Sequence, residues 1–357
     1  MLRIPPVTLL LRYFTIGGLE RVVSSLANCF VDRGVDTQII VMSTGKRNPL
    51  ITELDPRIEL LLLSGSPAHK LSSLRRMTAG RLVHIHFGDG RIHPLVRAAL
   101  MGRKVIVTYH SVYSHKRTWI ANRVDQLVAS RAAAIVAVSN AVKDFCVGDV
   151  CIPEERVRVI RNGVRAVPMR PPSMAYKDGP ILLASVAGLY PHKNQTALLD
   201  GLAKVKERNL NVRLSLIGDG PTMADLYQHC KTLRLCSEVE WYGAIWRRDV
   251  VQQLVGSAHG YISASRFEGM PISVLEGMIQ GLPMILSDIP SHREVAGDAA
   301  LYFSLDNPES MVEQISHFAT TEETRARMAE RSLERAKRFD LSECVARYIE
   351  LYCEVGN

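Results

Sequence analysis

The chain has 357 residues, 47% of them apolar and 22% charged, so it is long enough for two globular domains and its composition excludes a disordered or fibrous protein. Its seven cysteines are scattered and odd in number, and no pair has the spacing of a C-x-x-C site, a pattern that fits a reduced cytoplasm best. The formal charge is +8, but residues 1–165 carry 24 Lys and Arg against 12 Asp and Glu, a balance of +12, while the rest of the chain has a balance of −4. This asymmetry indicates an anionic partner of the first half, either a membrane surface or nucleic acid.

The first predicted element is a core strand, V-T-L-L-L-R-Y-F. We do not expect a signal peptide or a membrane span here, because Arg12 interrupts a short apolar run and no small-residue cleavage site follows. Six more runs rich in Val, Ile and Leu follow in the first half, and such runs are typical of strands buried on both faces of a parallel sheet. The sequence therefore predicts a doubly wound α/β domain over residues 1–165, with ligands at the carboxyl ends of its strands.

Glycine and histidine residues collect at these predicted strand ends. Gly17 and Gly18 precede a helix, where they form either a tight turn or a place for backbone to approach a ligand. His84 and His86 lie two apart on one strand and face the same side, but no third ligand is spaced to complete a zinc site, so we predict no metal. His110 ends the next strand, as either a ligand contact or an internally bonded side chain.

The segment H-K-R-T-W-I-A-N-R-V-D-Q-L-V-A-S-R is predicted to be an amphipathic helix. Such a helix either packs its apolar stripe on the sheet or lies on an anionic membrane surface. Nucleic acid is not the expected partner, because aromatic residues are only 6% of the chain and no recognition motif is present. With the charge excess, the helix predicts a peripheral protein on the cytoplasmic face of the membrane. The apolar positions are Ile120, Val124, Leu127 and Val128, the basic ones are Lys116, Arg117, Arg123 and Arg131, and Trp119 lies at one end.

Residues 166–180 are rich in proline and are predicted to be a linker, followed by a second doubly wound domain over 181–339 and a final amphipathic helix over 340–357. In the second domain Lys193 follows a strand and a loop, where its charge is available to a diphosphate. Gly218 and Gly220 begin a G-x-G pattern, but Met223 stands at the third glycine position, which argues against a nicotinamide cofactor.

The most informative stretch is S-R-F-E-G-M-P-I-S-V-L-E, from Ser265 to Glu276, which predicts a strand, a tight turn and a helix that begins near Ile272. The N-H groups of the first helical turn have no partner within the helix, so a phosphate is the expected guest. Glu268 and Glu276 would repel a phosphate unless they face hydrogen-bond donors, and sugar hydroxyls are such donors. The stretch therefore predicts a nucleotide-sugar site.

The string S-x-x-E-G-x-P-x-x-x-x-E-x-M-x-x-G-x-P resembles the signature of the retaining glycosyltransferases of family 4, whose bacterial members build polysaccharides and lipid-linked glycans. The T-I-G-G-L-E-R, V-I-R-N-G-V and G-D-G-P segments are similar to further motifs of that family. The resemblance implies the GT-B fold: two doubly wound (Rossmann-like) domains facing a cleft, with a C-terminal helix that crosses back to the first domain. The first domain would bind the acceptor and the second the nucleotide sugar.

The resemblance implies transfer of a hexosyl group from a UDP- or GDP-sugar to a hydroxyl of a glycan or lipid-linked acceptor, with retention and without metal or cofactor, since no D-x-D pair is present. This chain has Gly188 where the family has arginine, so Arg266 or the basic first domain compensates, or donor affinity is lower. The alternatives are an epimerase of the same fold, which would turn over the donor without an acceptor, and a weakly active donor-binding homologue. The implied catalytic residues are His110 and Glu268, the implied donor-binding residues are Gly17, Gly18, Lys193, Gly269, Met270, Ile272 and Glu276, and further candidates are Gly218 and Arg266.

Overall fold

The computed structural model describes residues 4–43, 49–87, 100–112, 119–165 and 179–356. They form two compact units. The first comprises Met1–Gly163 together with Leu341–Asn357, and the second comprises Val164–Asp340. The predicted linker, 166–180, lies outside the described residues except for its last two positions.

The first unit is built on a seven-stranded sheet, in the order β3-β2-β1-β4-β5-β6-β7, in which every paired strand is parallel. Strands β1, β2, β5 and β6 are buried along their whole length, which explains their continuous apolar sequences. The strands are β1 Val7–Leu11, β2 Thr37–Val41, β3 Glu59–Leu62, β4 Leu82–Phe87, β5 Val105–Tyr109, β6 Ala134–Ala137 and β7 Val157–Val159, and the helices are α1 Gly18–Asp32, α2 Pro67–Met77, α3 Trp119–Arg131 and α4 Asn140–Gly148, with 3-10 turns at Pro49–Glu53 and Glu154–Arg156.

The second unit repeats this plan with a six-stranded parallel sheet, in the order β10-β9-β8-β11-β12-β13. Its strands are β8 Ile181–Val186, β9 Val212–Ile217, β10 Val239–Gly243, β11 Gly260–Ser263, β12 Met284–Ser287 and β13 Ala300–Phe303. Its helices are α5 Gln195–Glu207, α6 Met223–Thr232, α7 Arg248–Gly256, α8 Ile272–Met278, α9 Pro290–Ala296, α10 Pro308–Thr320 and α11 Glu322–Ala336, with 3-10 turns at Pro191–Lys193 and Lys337–Phe339. Leu183, Leu199, Ile262 and Phe318 are among the residues that fill the core of this unit.

The last helix, α12 (Leu341–Gly356), belongs to the first unit and not to the second. Its Tyr352 ring packs edge-on against Phe30 of α1, with centroids 5.3 Å apart, and its hydroxyl lies 2.7 Å from Nδ1 of His84. This confirms the prediction of two doubly wound domains with a C-terminal helix that returns to the first.

In both sheets the strand order reverses once, between β1 and β4 in the first unit and between β8 and β11 in the second. At such a reversal the loops leave neighbouring strands in opposite directions, and the gap between them is where open α/β sheets bind ligands. The candidate residues of the second unit are concentrated in the loops after β8 and β11.

Candidate functional site

The stretch from Ser265 to Glu276 forms the strand, turn and helix predicted for it. Strand β11 ends at Ser263, Pro271 occupies the N-cap position, and α8 begins at Ile272. The first intrahelical bond runs from Leu275 N to Pro271 O, so the preceding N-H groups of the first turn have no partner within the helix. Because α8 has only seven residues, its dipole is short, and side chains must supply most of the positive charge for an anion.

Glu268 and Lys193 form an ion pair across the β8/β11 reversal. Lys193 Nζ lies 2.5 Å from Glu268 Oε1, and Ser265 Oγ donates to the same oxygen at 2.7 Å. The two side chains are 20% and 12% exposed. Burial raises the pKa of Glu268, but the charge and hydrogen bond of Lys193, together with the hydrogen bond from Ser265 and smaller electrostatic effects, outweigh burial and hold that pKa below its usual value. The sequence placed both residues at a ligand site but did not predict that they contact each other.

Glu276 is held by a cation that the sequence analysis missed. Arg248, the first residue of α7, lies 3.1 Å from Glu276 Oε1 through its NH2 group. The two side chains are 28% and 13% exposed, and Nε of Arg248 is buried without a hydrogen bond among the described residues. Each of the two predicted carboxylates therefore contacts a cation within the part of the chain that the structure describes.

A buried histidine supports the loop that carries Glu268, and the sequence analysis also missed it. His292 of α9 is fully buried, and its Nδ1 donates to Ser287 O at 2.9 Å. The Ser287 hydroxyl donates in turn to Ser265 O at 2.6 Å. Burial lowers the pKa of His292, so the ring is neutral and serves as a fixed support for the loop. An H-R-E tripeptide gives no periodic signal that could have identified it.

Two glycines of the G-D-G turn are explained by close packing against the loop after β8. Gly218 has φ +149°, and a Cβ there would lie 1.9 Å from Ala187 O, while a Cβ on Gly220 would lie 2.3 Å from Leu189 O. Only glycine fits such an approach. The turn thus fixes the loop that carries Lys193, and any donor contact by Gly218 stays a prediction.

At position 188, where the family has arginine and this chain has glycine, a neighbouring tyrosine ring occupies the space beside the backbone. A Cβ on Gly188 would lie 2.9 Å from the Tyr190 ring, so this ring fills the space beside Gly188. Arg266 lies against the same loop, because its N-H donates to His192 O at 2.8 Å and its guanidinium to Asn194 Oδ1 at 3.3 Å. The structure therefore brings Arg266 to the loop of Lys193, as compensation for Gly188 requires.

The other predicted donor contacts in this loop are buried or partly buried. Gly269 and Met270 are buried, and Met270 is 5% exposed. Ile272 is partly exposed at the first position of α8.

In the first unit, Gly17 and Gly18 lie where β1 gives way to α1. Gly17 is the N-cap residue, and a Cβ there would lie 2.4 Å from the Glu20 carboxylate, which accepts a bond from Thr15 Oγ1 at 3.1 Å. Burial raises the pKa of Glu20. A Cβ on Gly18 would meet nothing within 4 Å, so packing among the described residues does not explain this glycine.

His110 directly follows β5, and its Nε2 lies 2.9 Å from Nδ1 of His86. His84 and His86 project from the same face of β4, as their spacing predicted, with ring centroids 3.8 Å apart. Both nitrogens of His84 lie within hydrogen-bond distance of protein hydroxyls, which argues against a role as a metal ligand. In the part of the chain that the structure describes, no group of three His, Cys, Asp or Glu side chains is arranged to hold a metal ion.

Helix α3 presents a mixed apolar and basic stripe. Trp119 and Leu127 are 76% and 54% exposed, and Arg123 and Arg131 are also exposed, so residues four apart share one outer face. The side chains of Ile120, Val124 and Val128, and all of Lys116 and Arg117, lie outside the described residues. Among the residues that the structure covers, no helix combines the length and apolar content needed to cross a bilayer.

Sequence comparison identifies two matching families. Residues 16–166 match the family described as Glycosyltransferase Family 4, and residues 171–335 match Glycosyl transferases group 1. The chain is similar to the putative glycosyltransferase EpsF of Bacillus subtilis, at 28% identity over 62% of this chain and 61% of EpsF. It is also similar to the Escherichia coli UDP-Gal:alpha-D-GlcNAc-diphosphoundecaprenol alpha-1,3-galactosyltransferase, at 25% identity over 58% of each chain.

These two alignments span less than two thirds of either relative. An alignment with the D-rhamnosyltransferase WbpZ of Pseudomonas aeruginosa is longer, at 25% identity over 82% of this chain and 80% of WbpZ. Among solved structures, HepE of Anabaena in complex with UDP and glucose has a TM-score of 0.83 at 18% identity, over 97% of this chain and 99% of HepE. Sucrose-phosphate synthase of Thermosynechococcus elongatus has a TM-score of 0.82 at 15% identity, over 98% and 99%. These likenesses confirm the predicted GT-B fold.

Proposed function

Because the chain belongs to the family 4 glycosyltransferases, we propose that it transfers a hexosyl group from a UDP- or GDP-sugar to a hydroxyl of a glycan or lipid-linked acceptor. The observation that carries this proposal is the pair of carboxylate–cation contacts at the β8/β11 reversal, Glu268 with Lys193 and Glu276 with Arg248. A nucleotide sugar has groups that can bind both the two carboxylates and the two cations. Its diols donate to carboxylates, and its diphosphate accepts from cations.

In the absence of donor, these charged groups neutralise one another. Lys193 has three N-H donors and uses one on Glu268, so it can bind a phosphate oxygen while it keeps that carboxylate in place. Glu268 Oε2 makes no hydrogen bond among the described residues and is available to accept one from a sugar hydroxyl. Glu276 would accept from the ribose diol while Arg248 fixes its orientation. Donor binding thus needs only local adjustment of groups already present.

Catalysis in this proposal is charge stabilisation. As the bond from the anomeric carbon to the phosphate oxygen breaks, negative charge develops on the phosphate, and Lys193, Arg266 and the first-turn amides of α8 stabilise it. The leaving phosphate accepts the proton of the acceptor hydroxyl, whose oxygen forms the new bond on the same face, so configuration is retained. No metal ion is required, and His110 and the Gly17–Gly18 backbone contact the donor sugar and phosphates.

The acceptor is proposed from the relatives and from the first unit. The Escherichia coli relative acts on a diphosphoundecaprenol-linked sugar, which is the kind of lipid-linked acceptor that we propose here. The basic excess of residues 1–165 and the exposed Trp119 and Leu127 favour a peripheral position on the cytoplasmic face of the membrane. Each Lys or Arg close to an anionic leaflet contributes about 1 kcal/mol.

A thermal-shift panel of UDP- and GDP-hexoses tests the donor site. One nucleotide sugar should raise the melting temperature of the protein. The substitution Arg248→Ala should lower the affinity for that nucleotide sugar, because the Glu276 carboxylate loses its contact with the Arg248 guanidinium. Arg247→Ala is the matched control, since the neighbouring Arg247 is exposed and pairs with Asp249. Equal effects of the two substitutions, or no stabilisation by any nucleotide sugar, would contradict the proposal.

A further inference from the structure

Three histidines of the first unit form a continuous column. His84 and His86 of β4 stack with centroids 3.8 Å apart, and His86 Nδ1 lies 2.9 Å from Nε2 of His110. His84 and His86 are fully buried, and the proposed reaction uses neither of them.

The His84 end of the column is held in place by two hydrogen bonds to other side chains. His84 Nδ1 lies 2.7 Å from the Tyr352 hydroxyl of α12, and its Nε2 lies 2.6 Å from Thr108 Oγ1 of β5. A residue bonded at both nitrogens cannot turn, so it supports the His86 ring stacked on it. The position of His86 is therefore set by packing and is independent of any ligand.

All three imidazoles are neutral. Burial lowers the pKa of His110 to about 3 and holds the pKa values of His84 and His86 well below the usual range. Two neutral rings in contact through nitrogen share one proton, which belongs either to His86 Nδ1 or to His110 Nε2. The two arrangements differ in whether the other ring nitrogen of His86, Nε2, carries a proton.

The remaining nitrogen of His86 decides between them. His86 Nε2 is buried and has no hydrogen-bond partner among the described residues. If His110 donated, His86 would carry its own proton on Nε2, which would be a buried N-H without an acceptor. If His86 donates, Nε2 is a bare lone pair. An orphaned buried N-H is the rarer and costlier of the two.

We propose that His86 is a positioning residue that donates its Nδ1 proton to His110 Nε2 and thereby fixes His110 as the Nδ1-H tautomer. His110 then offers its substrate a neutral N-H donor at Nδ1, an atom with no hydrogen bond among the described residues, and it is not a general base. This rests on the proposed function, in which His110 contacts the donor sugar. The partner of Nδ1-H is an oxygen of the sugar or of the departing phosphate.

Nitrogen NMR of the full chain labelled with ¹⁵N-histidine reads the tautomer directly, without any substrate. The His110 and His86 signals are assigned by their loss in His110→Gln and His86→Asn. Both residues should show a protonated Nδ1 and a bare Nε2. A free histidine carries its proton mostly on Nε2, so an Nδ1-H signal is a clear effect of the site. An Nε2-H signal for His110 would overturn the proposal whether or not the chain transfers sugar.

Two substitutions at position 86 separate positioning from structural support. The amide nitrogen of His86→Asn can replace Nδ1-H as a donor, whereas His86→Leu fills the site with an apolar side chain that cannot donate and leaves His110 Nε2 without its partner. Thermal melts of both variants first establish that each is folded. We expect kcat to fall in the Leu variant by about ten- to hundredfold, as for other partners that orient a functional histidine, with little change in donor KM. The Asn variant should recover most of the rate and the Nδ1-H tautomer of His110. Equal activity of the two folded variants would show that His86 has only a structural role.

Discussion

The substitution Glu268→Gln removes one negative charge from the candidate site and keeps the shape of the side chain. In the free protein it leaves Lys193 without its counterion, at a place where the lysine side chain is only 20% exposed. In the presence of a nucleotide, the diphosphate replaces that counterion. The same substitution should therefore destabilise the free protein and spare nucleotide binding.

The magnitude follows from the burial of the pair. Removing one partner of a fully buried ion pair costs about 3–5 kcal/mol, and the remaining exposure of both groups reduces this to about 2 kcal/mol. For a domain of 150–250 residues, that is a fall of about 4–8 °C in melting temperature. Because the folded pKa of Glu268 is lowered, this stability is present above the unfolded carboxyl pKa, about 4.3, and is lost as pH falls through the folded pKa.

Thermal melts and UDP titration at pH 7 measure both effects. Glu238→Gln is the matched control, because Glu238 pairs with Lys206 at 2.7 Å but Lys206 is 45% exposed, so the loss should stay below about 1 kcal/mol. We expect UDP to bind the Glu268→Gln variant at least as tightly as wild type, since the negative charge beside the diphosphate is gone. Sugar transfer should fall, because the carboxylate that accepts a hydrogen bond from a sugar hydroxyl is lost. An unchanged melting temperature, or clearly weaker UDP binding, would refute this reasoning.

Four further predictions concern the same proposal. Glu276→Ala should weaken donor affinity by about ten- to hundredfold, since a lost charged hydrogen bond costs about 1.5–3 kcal/mol, and unchanged calorimetric affinity would remove Glu276 from the site. Gly18→Ala should stabilise the protein by about 0.4–1 kcal/mol but lower transfer, because its Cβ enters the space left for a ligand; full activity would contradict this. Transfer should persist in a chelator, and complete loss that Mn²⁺ restores would show a metal requirement. The chain should sediment with anionic liposomes at low salt and be released at high salt, more weakly after substitution of Trp119 and Leu127 by Ser, and no binding at low ionic strength would favour a soluble acceptor.

The parts of the site that were predictable from sequence depend on local signals. Pro271 and Gly269 determine where α8 begins, and the two-residue spacing of His84 and His86 determines that they share a face of β4. Runs of Val, Ile and Leu predicted all seven strands of the first sheet, and four of these strands, β1, β2, β5 and β6, are buried along their whole length and therefore need no polar alternation.

The parts that were missed depend on packing between distant segments. Arg248 reaches Glu276 because the start of α7 lies beside α8, and nothing near Arg248 in the sequence distinguishes it from Arg247. The contact of Lys193 with Glu268 joins residues 75 positions apart. His84 meets Tyr352 across 268 positions, because α12 returns to the first unit. Such contacts follow from strand order and helix placement, which local periodicity does not encode.

The most direct test of the proposed reaction follows the sugar released by the protein when water takes the place of the acceptor. Proton NMR during incubation with the stabilising nucleotide sugar identifies the anomer released first, before mutarotation. From an α-linked donor, we expect the α-hexose of the same sugar, with slower release by Glu276→Ala at donor concentrations below saturation. Initial release of the β-hexose, an epimerised sugar, or no release from any UDP- or GDP-hexose would contradict it.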